Sequence, residues 1–196
     1  MVIFVKYNLE ERPFVYSSFE EINDYDKIVY IDTTYCYSKK LESLKKLPNS
    51  LIELICVNNR LSSLPKLPNS LKKLYCDDNN LTTLPEIPNS LQKLHCFNNK
   101  LTSLPELPNS LETLNCYNNK LTSLPKLPNS LQTLYCKNNK LTELPKLPNS
   151  LQSLDCDFNQ LSSLPELPNS LRKIYCGENN NFIKNVKHKY LHTFNF

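Results

Sequence analysis

The amino-acid sequence predicts a solenoid of short repeats, with a parallel β-sheet on its concave face, a thin extended convex face and a short cap at each end. Two observations predict this fold class. Eight cysteines recur at intervals of 20 residues, from Cys36 to Cys176. Aligned on them, the pattern LPNSLxxLxCxxNxLxxLPxLPNS repeats seven times between Leu51 and Asn179. Such a fixed period is typical of a protein built from stacked copies of one unit.

The first element is an N-terminal cap, which we assign to residues 1–30. Its opening segment, VIFVKY, alternates in the manner of a strand. Ser17 and Ser18 precede Glu20 and Glu21 with the spacing of overlapping capping boxes, which predicts a short helix after them. Because a repeat buries its apolar side chains only against its neighbours, the end of the stack needs such a cover.

The repeats occupy residues 31–179, as about eight units of 20 residues. In each unit the first, fourth and sixth positions, such as Leu51, Leu54 and Cys56, are expected to point inward from a short strand. The Asn at the ninth position is expected to hydrogen-bond backbone groups left unpaired where the chain turns out of the strand. The first unit is a degenerate copy, with the three inward positions expected at Ile31, Thr34 and Cys36.

The return segment of each repeat is predicted to contain no helix. Paired prolines such as Pro65 and Pro68 fix φ and remove amide donors, which favours a polyproline-like chain. Leu61, Leu64 and Leu67 are expected to close the core from that side. After Asn179 the pattern decays, and apolar residues recur at helical spacing, so we assign residues 180–196 to a C-terminal cap.

These repeats resemble the leucine-rich repeat family. The strand pattern LxxLxCxxNxL matches its consensus. The 20-residue length and the LPxLPNSL return segment resemble the bacterial-type class known from effector proteins that pathogens inject into host cells, and the Cys-rich variant is similar to leucine-rich repeat proteins of large DNA viruses of amoebae. The effector resemblance implies protein binding. Some effectors carry a C-terminal ubiquitin-ligase domain with a catalytic Cys, but only about 17 residues follow the last repeat here.

Composition and charge narrow the function classes. The start of the chain lacks a basic region followed by an apolar run, so we read no signal peptide. The sequence contains no apolar run of about 18 residues, the length that a membrane span requires. The net charge of +4 is too small to imply nucleic acid by itself. We therefore expect a soluble intracellular protein, acting in a cytoplasm that could be that of a host cell.

The cysteines could form disulfides, bind zinc or act as nucleophiles, but the pattern favours buried free thiols. All eight share one inward column, whereas zinc sites prefer pairs such as CxxC and a reactive thiol needs partial exposure and a nearby base. A small buried hydrophobe is the simplest interpretation, and free thiols fit a reducing compartment. We expect no metal and no cofactor.

The outward positions of the strands vary from repeat to repeat, so they should carry the specificity for a partner. The fifth and seventh positions lie side by side on the concave face, and five of their aromatic rings are expected to form one contiguous patch with charged residues beside it. Tyr-rich patches with a polar rim are favoured at the anchors of protein interfaces, although aromatic residues also simply pack across strands. The partner-binding residues predicted from these columns are Tyr75, His95, Phe97, Tyr117, Tyr135, Lys137, Asp155 and Asp157. Asp77 and Asp78 are expected to flank them.

A further column, directly after the Asn ladder, forms a basic edge. Its cations are Lys40, Arg60, Lys100, Lys120 and Lys140. A spacing of about 5 Å could follow phosphates, with aromatic side chains stacking on bases. A solvated edge that keeps the solenoid soluble is the simpler interpretation, and the acidic groups nearby argue against nucleic acid.

The function predicted from the sequence is a non-catalytic protein–protein interaction module. The pair Asp155 and Asp157 could do acid–base chemistry or hold a cation, but a flat sheet offers no enclosed pocket to tune it. Nucleic-acid binding along the basic edge and a structural or assembly role are the alternatives. The identity of the partner and the oligomeric state stay open.

Overall fold

The computed structural model describes residues 3–177 and 179, apart from residues 23, 35–40 and 45. Within them, one ten-stranded sheet runs in the order β10-β9-β8-β7-β6-β5-β4-β3-β1-β2. The strands are β1 (Ile3–Lys6), β2 (Phe14–Tyr16), β3 (Tyr30–Asp32), β4 (Glu53–Ile55), β5 (Lys73–Tyr75), β6 (Lys93–His95), β7 (Thr113–Asn115), β8 (Thr133–Tyr135), β9 (Ser153–Asp155) and β10 (Lys173–Tyr175). From β3 to β10 each pairing is parallel. The predicted repeat solenoid is confirmed.

The core lies between this sheet and the return segments. In the repeat that contains β4, Leu51, Leu54 and Cys56 point inward from the strand side, and Leu61 and Leu67 close the core opposite them. The same columns are buried in the following repeats, so the apolar residues of each coil pack between those of its neighbours. The described return segments contain no helix, as the prolines predict. The solvent-facing side of the sheet is the concave face.

The Asn ladder joins each coil to the one before it. Asn79 Oδ1 accepts the N–H of Leu61 at 3.0 Å, and its Nδ2 donates to the carbonyl oxygens of Cys56 at 2.8 Å and Cys76 at 3.2 Å. The same bonds recur at Asn99, Asn119, Asn139 and Asn159. The predicted role of these side chains, donating and accepting at once, is confirmed.

A second ladder, which the sequence analysis missed, uses the serine of the LPNS segment. Ser90 Oγ donates to the carbonyl oxygen of Leu71 at 2.6 Å, in the preceding repeat. The same bond recurs at Ser110, Ser130, Ser150 and Ser170. Adjacent coils are therefore connected on both sides of each strand.

The first repeat has a register different from the predicted one. Ile31 pairs with Leu54, an offset of 23 residues rather than 20. Ile28, Ile31 and Thr33 are fully buried at the three inward positions, in place of the expected Ile31, Thr34 and Cys36. Strand pairing aligns the apolar side chains on one face, and this requirement overrides the cysteine spacing. Cys36 itself lies outside the described residues.

The N-terminal segment extends the sheet with antiparallel strands. β1 pairs with both β2 and β3, and Ile3 and Val5 are fully buried against the first repeat. A single-turn 3₁₀ helix, Phe19–Glu21, stands where a short helix was predicted. The backbone N–H of Ser17 donates to the Glu21 carboxylate at 2.9 Å. A second such turn covers Tyr25–Lys27.

The predicted C-terminal cap, residues 180–196, lies outside the described residues. In the part of the chain that the structure describes, no helix has the length and hydropathy that crossing a membrane requires.

Candidate functional site

The concave face arranges its side chains in columns that run across the strands. Because the parallel strands pair in register, each residue lies beside its counterpart 20 residues away. The fifth-position column runs Tyr75, His95, Asn115, Tyr135, Asp155 and Tyr175. Side chains distant in the sequence thus become neighbours at about one strand spacing, near 4.8 Å.

Four of the predicted aromatic residues form two ring contacts. Tyr75 and His95 meet edge to face with their centroids 4.9 Å apart, and Phe97 and Tyr117 stack at 4.5 Å. Burial lowers the pKa of His95, and the charge of Lys93 lowers it further, so the imidazole is neutral at pH 7. Tyr135 is separated from the Tyr75–His95 pair, because Asn115 occupies the position between it and His95.

A hollow of about 540 Å³ opens on the concave face beyond the stacked pair. It brings together four of the predicted partner-binding residues, namely Tyr117, Tyr135, Lys137 and Asp155. The other four, Tyr75, His95, Phe97 and Asp157, do not line it. Its lining also includes residues that the sequence analysis did not select, namely Asn115, Asn118, Asn138 and Tyr175.

The two acidic residues beside the hollow are held by backbone groups. Asp155 Oδ1 accepts the N–H of Asp157 at 3.2 Å, and Asp157 Oδ1 accepts the N–H of Gly177 in the next repeat. Burial raises the pKa of Asp155, and the Asp157 carboxylate adds to the rise, whereas the Asp157 N–H and Lys137 oppose it. Asp155 is half-buried and lines the hollow, so it is the acid better placed to meet a partner.

Asp77 lies beside Phe97 as expected, but its side chain is buried rather than open to a partner. It is only 3% exposed, and its Oδ1 accepts the N–H of Phe97 at 3.0 Å. Burial raises the pKa of Asp77 to about 7. The side chain turns towards the backbone of the next repeat because an unpaired N–H there needs an acceptor. Asp77 therefore stabilises the backbone at Phe97 rather than contacting a partner.

The eighth position of the repeat carries a third ladder, from Asp78 to Asn138, and Phe158 is an exception in the same column. Asn98 Nδ2 donates to Asp78 Oδ1 at 2.7 Å, Asn118 donates to Asn98, and Asn138 donates to Asn118 at 2.8 Å. This position has a left-handed backbone, which Asn and Asp tolerate well. Phe158 occupies the same position with a φ of 50° and ends the ladder.

Phe158 is a candidate functional residue that the sequence analysis missed. Its side chain is 49% exposed, and the Lys137 ammonium lies 5.1 Å from the ring centroid. A bulky residue in left-handed backbone is unfavourable, so a solvated aromatic ring there is hard to explain by folding alone. The signal was present in the sequence as an aromatic residue in a column that reads Asn or Asp in the five preceding repeats.

The basic edge is arranged as predicted in part. The side chains of Arg60, Lys100, Lys120 and Lys140 are exposed, and none of the ion pairs found in the described part of the chain involves them. Asn80 and Gln160 interrupt the row. Lys40 lies outside the described residues.

The seven described cysteines are buried in the core as free thiols, which confirms the predicted burial. Burial raises their pKa values, to about 12 for Cys116 and about 11 for Cys176, so the thiolate form is disfavoured. Among the described residues, no group of His, Cys, Asp and Glu side chains converges as a metal site.

Comparison with known proteins identifies the repeats and their structural relatives. The family model described as Leucine Rich repeats (2 copies) matches residues 89–129, 109–149 and 129–169, and the model described as Leucine Rich Repeat matches residues 70–94. No curated protein sequence matches significantly.

Several solved structures are similar to this chain. The Shigella effector leucine-rich repeat domain is 32% identical, with a TM-score of 0.72, and the match covers 84% of this chain and 76% of that one. YopM, a leucine-rich effector protein from Yersinia pestis, is 42% identical with a TM-score of 0.72, covering 77% and 43%. YopM from Yersinia enterocolitica is 36% identical with a TM-score of 0.67, covering 72% and 36%. The match thus spans less than half of either YopM chain.

Proposed function

Because this chain belongs to the leucine-rich repeat family and carries a tyrosine-lined hollow on its concave face, we propose that it is a non-catalytic interaction module that binds a partner protein there. The hollow is the observation that carries the proposal. Tyr117, Tyr135 and Tyr175 line it beside Lys137 and Asp155. Tyrosine anchors of this kind provide large contact areas with few rotatable bonds, and neighbouring charges favour a single orientation of the partner.

The proposal also covers the other four predicted contact residues and the cellular compartment in which the protein acts. Tyr75, His95, Phe97 and Asp157 would form the rim of the contact. The similar structures are described as effector proteins, which supports an effector-like role in the cytoplasm of a host cell. Seven buried free thiols are compatible with a reducing compartment. The resemblance to proteins of large DNA viruses stays a prediction.

The basic edge supports nucleic-acid binding less well. Arg60, Lys100, Lys120 and Lys140 are exposed, but Asn80 and Gln160 break the row. A backbone-tracking surface gains affinity from each successive cation, so these gaps weaken it. An assembly role has no comparable support on the concave face.

The test removes two aromatic walls of the hollow. A partner is first captured by proximity labelling in the native host, and its affinity for the purified chain is then measured. The double variant Tyr117→Ala with Tyr135→Ala is expected to bind about 100-fold more weakly, a loss of about 2.7 kcal/mol, because buried tyrosines anchor such interfaces.

The matched control is Phe14→Ala with Val15→Ala. These side chains are 50% and 61% exposed at the far end of the sheet, so their loss removes apolar surface without touching the hollow. Equal unfolding midpoints for the three proteins show that the fold is retained. Unchanged affinity of the tyrosine variant would refute the concave-face proposal.

A further inference from the structure

The lining of the hollow includes a residue with a buried hydrogen-bond acceptor that receives no donor. Asn115, which lies on β7 at the fifth position of its repeat, is only 9% exposed. Its Oδ1 atom accepts no hydrogen bond from the described part of the chain. Buried polar atoms are nearly always paired. Asn115 belongs to the lining of the hollow, so a turn of its side-chain amide would bring the unpaired oxygen to a donor from a ligand there.

A second acceptor lies two strands away in the same column. Asp155, which lies on β9 at the fifth position of its repeat, uses Oδ1 to accept the N–H of Asp157. No ion pair in the described part of the chain involves its carboxylate. Lys137, whose charge opposes the rise in the pKa of Asp155, has its ammonium 5.1 Å from the Phe158 ring centroid. The carboxylate therefore retains capacity for a cation from outside.

The ring of Tyr135 stands between the two acceptors. Asn115, Tyr135 and Asp155 are direct register partners on β7, β8 and β9. Two strand spacings separate the outer residues by about 10 Å. The face of a tyrosine ring is negative and attracts cations. The three side chains thus present an amide oxygen, a π-face and a carboxylate in one line.

One side chain matches this line better than the others. The guanidinium of arginine is flat, always charged, stacks on aromatic faces and carries N–H donors around its edge. A lysine ammonium is a compact point charge that cannot reach both acceptors while lying over the ring. Lys173 already places its ammonium 5.2 Å from the Tyr175 ring centroid, which leaves Tyr135 as the open ring beside Asp155.

We propose that Asn115, Tyr135 and Asp155 form the receptor for an arginine side chain of the partner protein. This inference rests on the proposed function and specifies the chemistry of its ligand. The guanidinium lies over the Tyr135 ring and pairs with the Asp155 carboxylate on one edge. On the other edge it donates to Asn115 Oδ1, once the Asn115 amide has turned that oxygen towards the hollow.

The test titrates Nα-acetyl-arginine amide into the full chain at low ionic strength, with the Asn115 side-chain amide and the Tyr135 ring followed by NMR. A ligand of this size should bind with a dissociation constant on the order of 1 mM. The citrulline analogue keeps the shape and loses the charge, and the lysine analogue keeps the charge and loses the planar fork. Both are expected to bind at least about 10-fold more weakly.

The variant is Asp155→Asn, and the matched control is Asp32→Asn. Asp32 lies in the same fifth-position column, on β3, and its Oδ1 likewise accepts the N–H of the residue two positions later, at 2.8 Å, but it is remote from the hollow. Asp155→Asn should abolish the preference for arginine over citrulline, and Asp32→Asn should preserve it. Equal binding of the two ligands to the unchanged chain, or equal behaviour of the two variants, would overturn the proposal.

The captured partner separates this inference from the function on which it rests. Asp155→Asn should weaken that complex at least about 10-fold, as expected for losing a charge-assisted contact. If Tyr117→Ala with Tyr135→Ala abolishes the complex while Asp155→Asn leaves it unchanged, the concave face binds the partner and the arginine receptor is wrong. If neither variant weakens the complex, both proposals fall.

Discussion

At the scale of single residues, Asp77 illustrates how one carboxyl can couple stability to pH. Its side chain is almost fully buried and accepts the N–H of Phe97. Burial raises its pKa to about 7 from an ordinary value of 3.8. Between these values the folded chain holds a proton that the unfolded chain has released, so folding is favoured at low pH and the advantage is lost as the pH rises.

We predict that the free energy of unfolding falls between pH 4 and pH 8, and that Asp77→Asn removes about 2–4 kcal/mol of that fall. The asparagine cannot ionise, and its Oδ1 can still accept the Phe97 N–H. Chemical denaturation at a series of pH values measures the effect. Asp32→Asn is the control, and identical pH profiles for Asp77→Asn and the unchanged chain would contradict the assignment.

Phe158 is a second single residue of interest, because a bulky aromatic side chain does not suit its left-handed backbone. Five preceding repeats place Asn or Asp at this left-handed backbone position, and three of these side chains donate along the exposed ladder. Phe158 gives up that ladder and leaves half of its ring in solvent, next to Lys137. Residues that contradict a local rule are often those retained for binding, which is why Phe158 belongs beside the hollow as a contact candidate.

At the scale of elements, the Asn ladder connects each strand to the coil before it. Asn119 Oδ1 accepts the N–H of Leu101 at 3.0 Å, and its Nδ2 donates to the carbonyl oxygens of Cys96 at 3.0 Å and Cys116 at 3.1 Å. One side chain therefore satisfies backbone groups from two repeats. These groups lie at the edge of the core beside a half-buried Asn119 side chain, where water can replace only part of the lost hydrogen bonding.

We predict that Asn119→Ala lowers the free energy of unfolding by about 2–4 kcal/mol, because it leaves several backbone groups without partners. Asn129→Ala is the control, since Asn129 has an exposed side chain in a return segment. Denaturant titration of both variants measures the difference. A loss at Asn119 no larger than at Asn129 would mean that the ladder contributes little.

At the scale of the whole molecule, the strand pairings of the described repeats join each coil to its neighbours, so the ends decide whether the stack is closed. At the front, β1 pairs with β3, and Ile3 and Val5 cover the first repeat. Beyond β1, the edge strand of the sheet is β2, where Phe14 and Val15 are exposed. We propose that this N-terminal segment is the cap that the sequence predicts.

Deleting residues 1–17 should therefore expose the edge of β3 and lower the free energy of unfolding by at least about 3 kcal/mol, from the loss of two buried side chains. Light scattering is expected to show association through the uncovered edge. Ile3→Ala, which keeps the strand pairing, should destabilise the chain without association. A truncated chain that stays monomeric with an unchanged unfolding midpoint would show that residues 1–17 are no cap.

The sequence by itself determined the repeating part of this protein. The 20-residue period places a leucine, an isoleucine or a cysteine at the inward positions, and alternation along a strand decides which side chains share a face. In such a pattern, asparagine at the turn predicts hydrogen bonds to the backbone, and proline in the return segment predicts a chain without helix. These choices are local and repeated, so they could be predicted without knowing which coils touch.

Only the tertiary structure decided what lies in the first repeat and on the concave face. Ile28, Ile31 and Thr33 occupy the inward positions there because strand pairing with β4 outweighs the cysteine spacing. Whether a polar side chain turns inward, as Asp77 does, or lines a hollow, as Asp155 does, depends on neighbours 20 and 40 residues away. A periodic pattern specifies the scaffold, but the surface at each point is set by the particular side chains that stacking brings together.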